Sequence, residues 1–474
     1  MEEVASQGRF NDLPEDLLIK VFQHLAGESA TRCRRSSGPM LSIVVVAQVS
    51  HSWRAAALGA PRAWSHIDLN FSDVSALPRR SLAYLDALLE RSKAVPLHIR
   101  LYNYCPKHDP GRPGGNQASH YFRSYDWGAC ERAFHALLRH AHRWKTFALS
   151  CEASSHEARR ALLRRFHVPM PQLQEFAVHL QNSDGFHTRG ATAKDTPLLP
   201  SAPSVHTVDI DQGFLRYVVF PRSIQLSSLT LGGYRSKFVG DISAILAACP
   251  NLQRLRLDNK HSSFGGVLTF RDGPTVETIN SRRIDTRNSR RIELPALTDI
   301  QVLNGASDAL VAINGELVLH SLRSITVRPI LWHGDTSAFL TTVCLQLCYL
   351  NVQLAHRRQQ TLSISDIVRQ FPYMEELIAE NWTVEATDFG ELAQRDVGRN
   401  LTRLSLPECA FSPQGDEEVV AAAALRLVRY KMNQQGRETA PFILELPHHA
   451  TIPERLHTEL EHLRGVTNDT QWDM

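Results

Sequence analysis

Two kinds of apolar spacing follow one another along this chain. Near the N-terminus the spacing is helical: Leu17, Leu18, Val21, Phe22 and Leu25 fall on one stripe. Pro14 suits a first turn, where its missing N–H would be unpaired anyway. Glu15 and Asp16 place negative charge where the helix dipole favours it. A polar gap with Gly27 and Gly38-Pro39 follows. Leu41, Val45, Val49 and Trp53 then recur at intervals of four and predict a second amphipathic helix, stopped by Gly59-Ala60-Pro61. Two short helices with this much apolar surface must pack on each other and on something else.

From Trp64 onward the pattern becomes apolar-x-x-apolar-x-apolar. It appears at Trp64-Ile67-Leu69, Trp144-Phe147-Leu149, Leu173-Phe176-Val178, Val205-Val208-Ile210, Leu226-Leu229-Leu231 and Leu252-Leu255-Leu257. It continues at Leu297-Ile300-Val302, Leu322-Ile325-Val327, Met374-Leu377-Ala379 (a weaker copy) and Leu401-Leu404-Leu406. From the third copy on, the intervals run from 21 to 52 residues. Val95 to Leu101 alternates like a further strand. Helical spacing lies between copies: Leu82, Leu85, Leu88 and Leu89; about Glu131 to His142; Ile242 to Ala248; Ala338 to Leu347; Ile364 to Gln370. A proline often precedes a copy, as at Pro171, Pro203, Pro250, Pro295 and Pro372, and ends the helix before the strand. A strand–helix unit of this kind buries its triad only against its neighbours, so the units must stack, as in a leucine-rich repeat.

The expected fold is therefore an α+β or α/β solenoid. An all-helical domain at 9–62, with an insert at 26–40, precedes an irregular leucine-rich-repeat-like array at 63–474. Loops are expected at 105–119, 181–200 and 258–292. A C-terminal cap is expected at 416–465: a helix from Glu417 to Met432, a strand at Phe442–Leu446 and a helix from Ile452 to Leu463. In the pattern, residues between and beside the apolar ones point to the open side of the sheet. Thr207, Asp209, Asp211, Arg254, Arg256, Asp258, Arg403 and Ser405 are the target-binding candidates on that side.

Composition narrows the class. With 43% hydrophobic and 21% charged residues, the 474-residue chain reads as a soluble globular protein. A net charge of +3 argues against a dedicated nucleic-acid binder. No run approaches the ~20 apolar residues of a membrane span. Met1-Glu2-Glu3 opens no signal peptide. Eight scattered cysteines suggest neither a disulfide framework nor a zinc site, so a reducing setting, cytoplasm or nucleus, is expected. Cys344 and Cys348 read as buried helix residues, and His448-His449 as a surface pair. His135, His140 and His142, with Arg139 and Arg143, read as a solvated basic face. Arg271, Arg282, Arg283, Arg287, Arg290 and Arg291 lie in the polar gap, either solvated or contacting an acidic partner. No phosphate loop, nucleophile elbow or His-Glu-x-x-His is present, so no catalytic residue, metal or cofactor is nominated.

Leu13, Pro14, Leu17, Leu18, Val21, Phe22, Leu25, Val49, Trp53 and Arg54 together resemble an F-box. Ser50 stands where the family usually has Cys. Ala63-Trp64-Ser65-His66-Ile67, Leu89-Glu90-Arg91-Ser92, His142-Arg143-Trp144 and Cys249-Pro250-Asn251-Leu252 extend the resemblance to fungal F-box proteins with degenerate leucine-rich repeats. The resemblance implies a non-enzymatic substrate receptor of an SCF-type ubiquitin ligase. Leu13, Pro14, Leu17, Leu18, Val21, Phe22 and Leu25 would dock on a Skp adaptor, and through it on a cullin-RING scaffold. Trp53 would lock the second helix to the module core, and the repeat face would hold a target protein. Two other readings stand beside it: an adaptor-binding scaffold acting outside the ligase, and an enzyme whose site is assembled from distant residues.

Overall fold

The computed structural model describes residues 14, 16–22, 47–70, 78–102, 127–152, 162–181, 196–197, 199–211, 218–220, 225–232, 239–258, 291–303, 317–330, 346–354, 362–394, 397–412, 417–434 and 442–446. It is a mixed α/β structure dominated by parallel strands. The chain divides into two units, residues 1–225 and 226–474.

The first unit begins with α1 (residues 16–22) and α2 (His51–Gly59), followed by a 3₁₀ turn at Pro61–Trp64. The second helix starts later than its apolar spacing predicts. Ser50, in extended backbone, caps it by accepting a hydrogen bond from Trp53 N at 3.2 Å, so Val49 lies in the turn before the helix. Leu41 and Val45 fall outside the described residues. Strands β1 (His66–Asn70), β2 (Leu97–Tyr102), β3 (Trp144–Glu152), β4 (Glu175–Gln181) and β6 (Thr207–Asp211) pair in parallel, each beside the next. Two short strands, β5 (Thr196–Pro197) and β7 (Val218–Val219), pair separately. Thr196–Pro197 falls inside the expected 181–200 loop, and ladder bonds to β7 hold it extended.

Two tryptophans play one role in this unit. Trp64 Nε1 donates to Ala57 O at 2.6 Å, and Trp144 Nε1 donates to Leu137 O at 3.2 Å. In each case an indole at the helix-to-strand junction ties back to the carbonyl seven residues earlier. Helices α3 (Pro78–Arg91) and α4 (Trp127–Leu138) precede β2 and β3. Phe134, Trp144, Phe147, Phe166 and Phe176 form one buried ring cluster, with edge and stacked contacts at 4.7–6.2 Å.

Arg143 overturns the expectation of a wholly solvated basic face. Its side chain is buried, donating through Nε and Nη2 to Val95 O at 3.0 and 2.8 Å and through Nη2 to Ser92 Oγ at 2.8 Å. The guanidinium fork satisfies two acceptors at the end of the preceding helix, which the sequence spacing of 48–51 residues could not reveal.

The second unit repeats the arrangement more strictly. Its strands β8 (Ser228–Gly232), β9 (Arg254–Asp258), β11 (Asp299–Leu303), β13 (Ser324–Ile330), β14 (Tyr349–Leu354), β15 (Glu376–Glu380), β17 (Arg403–Ser405) and β19 (Ile443–Glu445) pair in that order, all parallel. Leu229, Leu255, Ile300, Ile325, Leu350, Leu377, Leu404 and Leu444 are register partners in one row. All but Leu444 are fully inaccessible. Burying one such side chain contributes about 1.5–3 kcal/mol, so the row is the main cohesive element. The copies are also joined by a recurrent backbone bond: Thr298 N to Gln253 O, Arg323 N to Thr298 O, Cys348 N to Arg323 O, Glu375 N to Cys348 O and Thr402 N to Glu375 O, at 2.7–3.0 Å.

Cys348 N belongs to that series, so the expectation of a buried helical Cys348 fails. Cys348 is half-buried in the extended approach to β14, and Leu347-x-x-Leu350-x-Val352 is a further copy of the signature. The apolar run before it had concealed this copy as helix. Cys344 lies outside the described residues. The expected 258–292 loop is shorter at both ends, since Asp258 closes β9 and Ile292 opens β10 (Ile292–Glu293), which pairs with β12 (Leu317–Val318). Helices α5 (Val239–Ala248) and α6 (Ile364–Gln370) stand where their spacing predicts. Ser363 and Asp366 form a capping box on α6. Short strands β16 (Thr383–Glu385) and β18 (Ala410–Ser412) pair with each other. Helix α7 (Ala386–Leu392) packs against α8 (Glu417–Gln434). Of the arginines of the polar gap, Arg291 is exposed just before β10, while Arg271, Arg282, Arg283, Arg287 and Arg290, with His448-His449 and the helix expected at Ile452–Leu463, lie outside the described residues.

Candidate functional site

The N-terminal helices carry an exposed apolar row. Pro14 O accepts Leu17 N at 3.0 Å and Leu18 N at 3.2 Å, opening α1 as its proline predicts. The apolar stripe then splits. Leu18 and Phe22 are each 1% exposed, whereas Leu17 and Val21 are 46% and 40% exposed. Both pairs are spaced i, i+4, one row facing inward and the adjacent row outward. Phe22 meets Trp53 edge-on, centroids 5.6 Å apart, which locks α1 to α2. Arg54 Nε donates to Ala47 O at 3.2 Å and ties the turn before α2 to that helix.

Leu18 and Phe22 were expected to supply docking contact. Their burial makes them module core instead. Leu17 and Val21 keep an outward position, Pro14 is exposed, and Leu13 and Leu25 lie outside the described residues. Val49 and Leu58 join the exposed apolar group. Among the described residues, four of the seven exposed large apolar side chains fall between 17 and 58. Exposed apolar side chains of this kind are candidates for a partner contact. Apolar spacing does not single out Leu58, because its place depends on where α2 begins.

A family model described as F-box-like matches residues 10–70. Residues 10–70 are an F-box-like domain. No curated protein matches the chain. F-box-like domains bind Skp-type adaptors, which fits an outward apolar row. The match runs on past 62 into β1. Trp64 is 1% exposed, bonded to Ala57 of α2, and lies under the Arg91 guanidinium at 4.4 Å. The F-box-like domain thus continues into β1 without a break in packing.

The expected target-binding residues occupy two separate strand sets. In the first unit, Thr207 and Asp209 are half-buried on β6, and Asp209 lies 3.4 Å from His179 Nε2. In the second, Arg254 is exposed and Arg256 reaches Asp258 at 2.7 Å. Arg403 bridges Glu376 at 3.2 Å and Glu445 at 2.7 Å, and Ser405 Oγ donates to Glu445 at 2.5 Å. Asp211, Asp258 and Ser405 are buried, contrary to their expected exposure. Each sits at the end of its strand, where the alternation of faces no longer governs burial. A network that the spacing did not suggest lies beside them: Arg328 contacts Glu380 at 2.6 Å and Asn351 Oδ1 at 2.6 and 2.8 Å. Burial raises the Glu380 carboxyl, and Arg328 opposes that shift.

At the start of the first sheet, His66 stacks on His98 with centroids 4.6 Å apart and planes within 5°. Burial, then the neighbouring His98, lowers the His66 pKa to about 4. Burial also lowers His98, which shares a 3.2 Å hydrogen bond with Thr146 Oγ1. Burial pushes the Cys249 thiol up to about 12, so it is held as the neutral thiol. Among the described residues, no three His, Cys, Asp or Glu side chains are grouped to hold a metal ion, and no helix is long and apolar enough to cross a membrane.

Proposed function

We propose that this chain is a non-catalytic substrate receptor of an SCF-type ubiquitin ligase, of the kind seen in fungal F-box proteins with degenerate leucine-rich repeats. The observation that carries the reading is the split stripe of the F-box-like domain. Leu18 and Phe22 anchor α1 on Trp53, leaving Leu17 and Val21 free for a Skp adaptor. The adaptor joins the receptor to a cullin-RING scaffold. The in-register strands form an irregular leucine-rich-repeat solenoid whose open face presents a protein target, in the cytoplasm or nucleus. The receptor acts by proximity, raising the target's effective concentration near a ubiquitin-charged enzyme. Arg254, Arg256 and Arg403 in the second unit, and Thr207 and Asp209 in the first, remain the target-contact candidates.

The test is a pull-down of the full chain with purified Skp adaptor, comparing wild type with Leu17→Asp/Val21→Asp. Two carboxylates placed in an apolar interface cost several kcal/mol, enough to abolish ordinary binding. Loss of adaptor by the folded variant is expected. A folded wild type that never binds the adaptor sinks the ligase reading. Adaptor binding without target ubiquitination leaves a scaffold that acts outside the ligase.

A further inference from the structure

We infer that the helical flank of the first unit, around α4, docks an acidic protein segment. The inference does not rest on adaptor binding. From 132 to 151 and from 162 to 174 the chain has no Asp or Glu, while its net charge is only +3 overall. Into these stretches fall Arg132, Arg139, Arg143, Lys145, Arg164 and Arg165, with His135, His140, His142 and His167.

The fold brings the two stretches together. Phe134 of α4 and Phe166, just past the helical turn at 162–165, meet edge-on at 5.4 Å. Arg165 bonds Glu131 across the same contact. Leu162, Leu163, Phe166, Phe134 and Leu137 turn inward and are buried. His135, Arg139, His142, Arg164 and His167 turn outward and are exposed. Arg139 follows Phe134 by five residues and Arg164 precedes Phe166 by two, so both flank the Phe134–Phe166 contact. The Debye length is ~10 Å at 0.1 M salt, so the fixed charges of exposed arginines placed this near one contact act on the same partner. Arg143, drawn into the interior, donates to the neutral acceptors Val95 O and Ser92 Oγ and, among the described residues, meets no carboxylate. The flank has a boundary: the preceding helix α3 exposes Asp86 and Glu90.

The chemistry selects the partner. Guanidinium forks pair bidentately with carboxylates. Among the described residues of this region the aromatic rings, Phe134, Trp144, Phe147 and Phe166, are all buried and offer no stacking platform for nucleic-acid bases. The fit is to a short run of Glu or Asp side chains on a protein.

The test titrates the full chain against a fluorescein-labelled peptide of eight glutamates, a matched eight-glutamine peptide and a 20-base-pair DNA duplex. Wild type is expected to bind the glutamate peptide, to ignore the glutamine peptide, and to weaken at least tenfold when salt rises from 50 to 200 mM (roughly the response of several released counterions). Arg139→Glu/Arg164→Glu, both exposed positions, is expected to weaken binding at least tenfold with an unchanged far-UV spectrum. Arg369→Glu, an exposed arginine of the second unit, serves as the charge control and is expected to change binding less than twofold. Equal binding by wild type and the double variant overturns the inference. So does tighter binding of the duplex that the double variant abolishes, which would make the flank a nucleic-acid surface.

Discussion

Phe22 and Trp53 meet edge to face, centroids 5.6 Å apart and planes at 67°. This contact joins α1 to α2 in the F-box-like domain and places Phe22 on the inward side of α1. It separates stability from binding within a single turn. Phe22→Ala or Leu18→Ala is expected to destabilise the domain by about 2–5 kcal/mol. Leu17→Ala and Val21→Ala are expected to change stability by about 0.5 kcal/mol or less while weakening adaptor capture. Thermal melting beside adaptor pull-down checks the split. Equal loss of stability from both pairs would falsify the assignment of faces.

Arg143 supplies a second test. Its buried guanidinium holds Val95 O and Ser92 Oγ, so removing it leaves acceptors without their donor. Arg143→Ala is expected to cost about 2–4 kcal/mol, and Arg143→Lys to recover only part of this, because an ammonium cannot reproduce the fork. Melting temperatures of the two variants decide the matter. A neutral Arg143→Ala would mean that water replaces the guanidinium.

Acid should loosen the first sheet. His66 is lowered to about 4 and His98 is lowered too, first by burial; Lys145 and Glu175 act on His98 in opposite directions. The folded state therefore binds fewer protons than the unfolded chain between the ordinary histidine value of 6.5 and about 4. The stability held by the pair is complete above 6.5 and is lost as pH falls toward 4. His66→Gln is expected to flatten the fall in melting temperature over that window. An unchanged slope would place the acid sensitivity elsewhere.

Gly398 has a positive φ of 64°, and a Cβ built there would lie 3.1 Å from Val368 Cγ1. Its carbonyl also accepts a hydrogen bond from the buried Lys431 Nζ, whose pKa burial lowers to about 8. Gly398→Ala combines backbone strain with crowding and is expected to cost about 1–3 kcal/mol. A melting temperature equal to wild type would show that Val368 yields freely.

Local spacing determined much of this protein from the sequence alone. The four-residue stripe of α1, the helix at Ile364–Gln370 and the recurring apolar triads are decided by neighbours a few positions apart, so a linear reading recovers them. Their rows of 0–2% exposure confirm that reading in the second unit. Tertiary structure alone decided which half of a stripe becomes core. Leu18 and Phe22 turn inward because Trp53, some thirty residues on, supplies a ring for Phe22. Arg143 leaves the solvent because Ser92 and Val95 wait at the end of another helix. The Leu347-Leu350-Val352 copy is a strand because Ile325 and Leu377 flank it in register. An apolar run is compatible with helix or strand by period alone, and only the partner on the next strand breaks the tie.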